Sequence, residues 1–422
     1  MGVIRRDWAA EKNPGGRCKK INPPASRAAY HLAMNADSLD TTEITIDWAA
    51  KVRAAAQNKT LLRIRGGGSK DFYGEALEGE ILDTTFLNGV VSYEPSELVV
   101  TALAGTPLAE LEALLLAQGQ CLPFEPPHFS PDSTVGGMVA AGLSGPARAS
   151  AGAVRDFVLG VKLINGKGEH LTFGGQVMKN VAGYDVSRLM VGAMGTLGLL
   201  TEVSLKVLPI APLEATLKFE MTQAQALEKL NTWGGQPLPL NASCWVKESG
   251  MENGIDHGID HGPDHGVGTL YLRLRGAIAA VTAACKTLGG EQMDNTVAQA
   301  DWHRARNQQL QWFTERSDVQ DLWRLSVPQT TPPLDLPSSP LIEWHGGLRW
   351  VRAAPEHAEH VRQQAGLHNG HATLFIAACA RKLRATGRFD ALKPPLDKIH
   401  RELKREFDPA GVFNRHRMSA DW

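Results

Sequence analysis

No apolar stretch in these 422 residues approaches the roughly 20 consecutive residues that a membrane-spanning helix requires. Cysteine is scarce: five residues, at 18, 121, 244, 285 and 379, with no two spaced Cys-x-x-Cys. That spacing excludes a structural zinc or an iron–sulfur cluster held by this chain alone. An odd, scattered set does not form a disulfide framework, and a reducing cytoplasm is the expected compartment. Charge of one sign is also lacking. Lys and Arg number 44 against 45 Asp and Glu, so nothing favours nucleic acid or an anionic membrane face. Met1–Arg6 carries charge but no apolar core follows it, which excludes a secretory signal at that position.

Glycine, by contrast, is concentrated in three clusters. The first, Arg65-Gly66-Gly67-Gly68-Ser69-Lys70, follows the apolar run Leu61–Ile64. The second runs Ser133-Thr134-Val135-Gly136-Gly137 to Gly142, and the third Gly192-Ala193-Met194-Gly195-Thr196-Leu197-Gly198 to Thr201-Glu202. Adjacent glycines expose successive backbone N–H groups and let a ligand approach the main chain. One such loop after a strand suggests a phosphate; three in succession suggest a long ligand such as a dinucleotide. The first cluster can cradle a pyrophosphate with N–H groups and a nearby cation. It lacks the Gly-x-Gly-x-x-Gly spacing of a Rossmann loop and the Gly-Lys-[Ser/Thr] of a Walker loop.

Periodicity predicts a helix over 42–56, a strand over 61–64 and another over 98–102. Thr106 reads as an N-cap, with Pro107 opening a helix striped by Leu108, Leu111, Leu114 and Leu115 and stopped at Gly119. Asn165-Gly166-Lys167-Gly168 predicts a hairpin between 157–164 and 169–173. Val203, Leu205 and Val207 alternate with polar residues as in a half-buried strand, Asp185 reads as an N-cap, and 209–212 as a linker. Beyond it tryptophans gather at 233, 245, 302, 312, 323, 344 and 350, rings of the kind that also anchor protein interfaces. The Gly/His/Asp repeat at 254–266 reads as a flexible inserted loop rather than a metal site, and the proline-rich 329–340 as an exposed loop. A final helix is expected over 396–407, with Leu396, Ile399, Leu403 and Phe407 on one face.

Taken together, Arg65–Leu208 resembles the FAD-binding domain of the vanillyl-alcohol oxidase and p-cresol methylhydroxylase superfamily. The resemblance rests on Arg65-Gly66-Gly67-Gly68, Thr134-Val135-Gly136-Gly137, Val154-Arg155-Asp156 and Gly195-Thr196-Leu197-Gly198 with Thr201-Glu202. Leu403–Asn414 matches the closing segment of the α-hydroxy-acid dehydrogenase branch. Within it, Leu122–His128, Gly136–Ala140, Arg155–Gly160 and Val177–Asp185 resemble the smaller FAD-binding subunit of bacterial glycolate oxidases. The resemblance implies an α+β fold: a two-subdomain FAD-binding domain of the p-cresol methylhydroxylase type (36–210), an α+β cap (211–390, with an inserted loop 252–268), and a C-terminal helix and tail (391–422) returning to the FAD domain. Residues 1–35 fall outside it and are expected to be a dispensable extension, either a disordered arm or the product of a start codon set too far upstream, with Met34 as the natural start.

It further implies non-covalent FAD held by Arg65, Gly66, Gly67, Gly68, Ser69 and Lys70. Ser133, Thr134, Gly136, Gly137, Gly142, Gly145, Gly152, Arg155, Gly198 and Thr201 are expected to line the rest. The implied partners are a larger FAD-binding glycolate oxidase subunit, an iron–sulfur subunit and a small 2-hydroxy acid. The implied place is the cytoplasm, peripheral to the inner membrane through the complex. Two departures stand out. Catalytic members carry His-x-Gly-Asp-Gly-Asn-x-His, where this chain has His368-Asn369-Gly370-His371-Ala372-Thr373-Leu374-Phe375. The usual Asn-Pro-Gly ending reads Asn414-Arg415-His416. No metal ligand and no catalytic residue is assigned from the sequence. A free-standing FAD-dependent D-2-hydroxy-acid dehydrogenase and a flavin-free structural subunit remain as alternatives.

Overall fold

The computed structural model describes residues 41–175, 185–247, 266–379 and 387–421. The N-terminal extension, the Lys179–Tyr184 stretch and nearly all of the Gly/His/Asp repeat lie outside the described residues. From Thr42 onward the chain forms one compact unit.

The helix Thr41–Asn58 buries Trp48, Ala49, Val52 and Ala55, a stripe spaced for one helical face. It covers β1 (Leu62–Arg65), which runs parallel to β2 (Glu80–Asp83). Next come β3 (Val90–Glu94), β4 (Val99–Leu103), β5 (Gln120–Cys121), β6 (Val158–Ile164), β7 (His170–Gly174), β8 (Leu199–Lys206) and β9 (Leu208–Pro209). Five of them form an antiparallel sheet in the order β3-β4-β8-β6-β7. The predicted hairpin is β6–β7, turned by Asn165, whose carboxamide oxygen accepts from Lys167 N–H and Glu169 N–H.

The second half contributes β10 (Leu213–Thr222), β11 (Leu240–Val246), β12 (Val267–Gly276), β13 (Glu291–Gln292), β14 (Asp321–Ser326), β15 (Leu341–Glu343), β16 (Leu348–Ala353) and β17 (His371–Ile376). They make one eight-stranded sheet, β13-β10-β12-β11-β15-β16-β14-β17. The helices Gln223–Gly234 and Ile278–Leu288 share a core with β10, β11 and β12. A separate core joins Trp302, Trp312, Trp344 and Trp350 to Tyr73, Leu143 and Met194 of the first half. The chain then returns through the helix Leu396–Phe407 and lays Phe413 beside Leu62 as a parallel bridge.

Several local expectations are corrected. Thr106 does not cap a helix; its hydroxyl donates to Gly89 O and accepts from Gly89 N–H, and Pro107 sits at the cap of Leu108–Ala117 without a side-chain bond. β8 is a central strand, so Ser204 is buried and shares a hydrogen bond with Thr101. The 209–212 stretch begins as β9, paired with β5. The 329–340 loop is partly inside: Leu334 and Leu336 pack with Trp323 and Leu325. The seven tryptophans at 233, 245, 302, 312, 323, 344 and 350 are buried within this chain, which removes them as interface anchors. On the last helix Phe407 is buried and Leu403 packs against the core, but Leu396 and Ile399 are each 51% exposed.

Candidate functional site

A cleft opens between the loop after β1, the helix Val135–Ala141, the 190–198 turn and the C-terminal residues Asn414 and Arg417. Its floor begins where β1 stops. Among the described residues, the backbone N–H groups of Gly66, Gly67, Gly68, Ser69 and Lys70 have no protein acceptor. Such successive unsatisfied donors attract an anion, because burying them unpaired is costly. Thr134 caps the helix across the cleft by accepting from Gly137 N–H at 3.1 Å, and Gly142 ends it in the left-handed region.

Of the sequence-predicted residues, Arg65, Gly66, Gly67, Gly68, Ser69, Lys70, Thr134, Gly136, Gly137 and Gly198 line this cleft together. Ser133 lies beneath it, fully buried, and accepts from Lys70 Nζ at 2.8 Å. Gly142, Gly145, Gly152, Arg155 and Thr201 do not line it. Gly142 leaves room for Gly192, and Gly145 for the Glu125 carbonyl. Gly152 closes the short helix Arg148–Ala151. Arg155 is exposed and donates to Val191 O at 3.3 Å, while Thr201 O accepts from Ala104 N–H inside the sheet.

The cation expected beside the glycines is committed elsewhere. Arg65 donates from Nε to Asp71 at 2.9 Å, and Arg63 reaches the same carboxylate at 2.8 Å. Lys70 donates to Ser69 Oγ, His128 O and Ser133 Oγ. Burial, with Arg306 nearby, lowers its pKa to about 8. Three glycines serve the scaffold as much as a ligand. A Cβ on Gly67 would lie 1.5 Å from Asp132 O, one on Gly66 2.5 Å from Thr134 Oγ1, and one on Gly136 2.7 Å from Ala104 Cβ. Gly137 is different, since only its own cap, Thr134 Oγ1, lies within 4 Å.

Two cleft residues escaped the sequence reading. Asn414 accepts from Ile64 N–H and donates to Met194 O, both across the cleft mouth. Arg417 donates to the carbonyls of Lys70, Asp71 and Glu75 and holds the loop from behind. The only signal was Asn414 inside the C-terminal segment already noted for its altered ending. His371 stands at the start of β17 and does not line this cleft. Among the described residues no group of three or more His, Cys, Asp or Glu is placed to hold a metal.

Ion pairs tie the halves together over the cleft's flank. Glu125 accepts from Arg273 at 2.7 Å and Arg275 at 3.2 Å, and Glu112 pairs with Arg306 and His128. Burial works to raise the Glu125 pKa, but the two guanidiniums hold it below the usual carboxylate range.

A glycine loop of free N–H groups after a strand, a mixed α+β half carrying it and a large antiparallel sheet beside it define a flavoprotein of the p-cresol methylhydroxylase type. A family model described as an FAD binding domain matches residues 43–174. Alkyldihydroxyacetonephosphate synthase shares the fold, with a TM-score of 0.58 at 15% identity over 88% of this chain and 75% of that one. The glycolate oxidase subunit GlcE of Escherichia coli is 43% identical over 88% of this chain and 96% of its own length. A D-lactate dehydrogenase of Anaerostipes hadrus is 32% identical over 39% of this chain and 35% of its own length. The glycolate oxidase subunit GlcD of Bacillus subtilis is 30% identical over 33% and 29%. The chain belongs to the GlcE family of FAD-binding glycolate oxidase subunits.

Proposed function

We propose that this chain is the FAD-binding subunit of a complex that oxidises glycolate to glyoxylate and passes the electrons to partner subunits. The observation that carries the reading is the end-to-end identity with the E. coli subunit. Bound FAD supplies a two-electron acceptor that can also release electrons singly, a task no side chain performs. The residues of this chain hold and orient it. The N–H groups of Gly66–Lys70 take the pyrophosphate, Gly137 lets the cofactor approach the helix Val135–Ala141, and Asn414 and Arg417 fix the loop in place. The Gly66–Gly68 loop offers no His or Cys for attachment, so the cofactor is dissociable.

The partners are a larger flavin subunit and an iron–sulfur subunit. The four described cysteines are free and dispersed, so onward electron transfer rests with another chain. Among the described residues no helix is long and apolar enough to cross a membrane. Attachment at the inner membrane face, from the cytoplasmic side, then comes through the complex.

The test uses the purified full-length chain and the co-expressed complex. The chain should show flavin absorbance that is released as free FAD on acid precipitation. Glycolate-dependent dye reduction should be weak for the chain alone and strong for the complex. A chain that stays colourless after incubation with FAD sinks the reading; robust turnover by the lone chain converts it to a free-standing dehydrogenase.

A further inference from the structure

The second half holds a cavity of about 720 Å³ that the glycolate reading does not use. Every residue that lines it falls between Thr216 and Leu341, and none of them lines the cofactor cleft. One wall is the eight-stranded sheet. Cys244 and Val246 are two apart on β11 and share a face, Tyr271 stands opposite Cys244 on β12, and Leu341 opens the neighbouring β15. The other wall is the helix Asn295–Arg306, whose residues 298, 302 and 305 follow helical spacing, with the short helix Gln311–Thr314. Two of those three positions, Ala298 and Ala305, carry only a methyl group, so the helix does not fill the space to the sheet.

The interior is apolar and the rim polar. Ala298, Trp302, Ala305, Trp312 and Leu341 are buried, while Lys247, Arg304, Gln311 and Glu315 are exposed. The acids of the lining are matched: Asp301 by Arg304 at 2.9 Å, and Glu315 by the Gln311 amide. Burial pushes the Cys244 thiol well above its ordinary pKa and keeps it neutral. Trp302 commits its single donor to Thr216 Oγ1, 3.0 Å away. The interior therefore suits an uncharged ligand.

The indoles narrow the choice further. The Arg273 guanidinium lies 4.9 Å from the ring centre of Trp302, and that of Arg352 lies 4.7 Å from Trp312. Each ring already carries a cation, so neither calls for a cationic ligand. A void of this size between apolar walls costs stability and offers water few partners. Such a space is retained for a ligand that ring faces and apolar side chains can cover. The 248–265 stretch between β11 and β12 is mostly Gly, Asp and His, a composition that does not match these walls.

We propose that this cavity is a binding site for an uncharged, flat, fused-ring compound held against Trp302 and Trp312. The site is separate from the FAD cleft and does not depend on the glycolate reading.

The experiment is calorimetric titration of the FAD-loaded full-length chain with 2-naphthol, 2-naphthoate and 1-decanol, alongside thermal melts. 2-Naphthol should bind saturably. 2-Naphthoate, which adds a charge, and 1-decanol, which is neutral but not flat, should each bind about tenfold more weakly or worse. Ala298→Phe places a ring inside the cavity. It should weaken 2-naphthol by about tenfold or more and melt at the temperature of the parent or higher, because the new side chain fills empty space. Trp312→Leu removes one ring wall and should weaken 2-naphthol about fivefold, which carries the comparison if Ala298→Phe does not fold. No saturable binding to the parent, parental affinity in either folded variant, or 1-decanol or 2-naphthoate binding as tightly as 2-naphthol would each overturn the proposal. Turnover by the co-expressed complex is read separately. If the complex oxidises glycolate while the chain binds no 2-naphthol, this site falls and the proposed function stands.

Discussion

Gly67 and Gly137 both line the cleft, yet they are glycine for different reasons, and the difference decides which of them tests the cofactor site. Gly67 makes room for the Asp132 carbonyl, so any side chain there damages the scaffold first. Gly137, in the first turn of Val135–Ala141, lines the cleft, and a Cβ there would meet only the Thr134 hydroxyl, at 3.0 Å. Gly137→Asp should leave the apo fold intact, since an acid near a helix N-terminus contributes about 0.3–1 kcal/mol of stability. The same carboxylate faces the cofactor's phosphates, so FAD retention, read as the ratio of absorbance at 450 to 280 nm, should fall at least tenfold, to order of magnitude. Glu343 carries a second prediction at this scale. Burial raises its pKa to about 7 from an ordinary 4.5. Folded chains then keep a proton that unfolded chains release, so stability declines as pH rises from 4.5 to about 7. Above that range the full cost, about 3 kcal/mol, is present. Glu343→Gln should therefore raise the melting temperature over the parent at pH 8 and leave it unchanged near pH 4.5.

The last helix shows what periodicity conveys about an element and what it omits. Its bounds, Leu396–Phe407, are those the pattern predicts, and its four apolar residues do share a face. Only the C-terminal end of that face is covered, however: Phe407 is buried and Leu403 packs against the core, while Leu396 and Ile399 stay exposed. Phe407→Ala should cost about 3–5 kcal/mol in urea denaturation. Leu396→Ser and Ile399→Ser should stay within about 0.5 kcal/mol of the parent. The same limit explains the other misreadings. The pattern in β8 looks half-exposed because Ser204 is polar, whereas its Thr101 partner lies on β4, a hundred residues earlier in the chain. Tryptophan content says that large rings need covering, not whether the cover is this chain or another, and here it is this chain. The glycine clusters were legible because a loop that must present main-chain N–H groups has few alternatives to glycine.

At the scale of the whole molecule, the two halves meet through a shared aromatic core and the Glu125 and Glu112 ion pairs, while the cleft itself is finished by the chain's far end. Leu62 donates its N–H to Val412 O and accepts from Asn414 N–H, and Ile64 donates to a carboxamide 350 positions downstream. On the ribosome, β1 therefore emerges long before the residues that pin it. The glycine loop must wait, unanchored, while the entire eight-stranded sheet is translated. Cofactor capture is thus a late event in the life of the nascent chain, and a ribosome that stalls before Asn414 releases a product with a nucleotide cradle that nothing holds in shape.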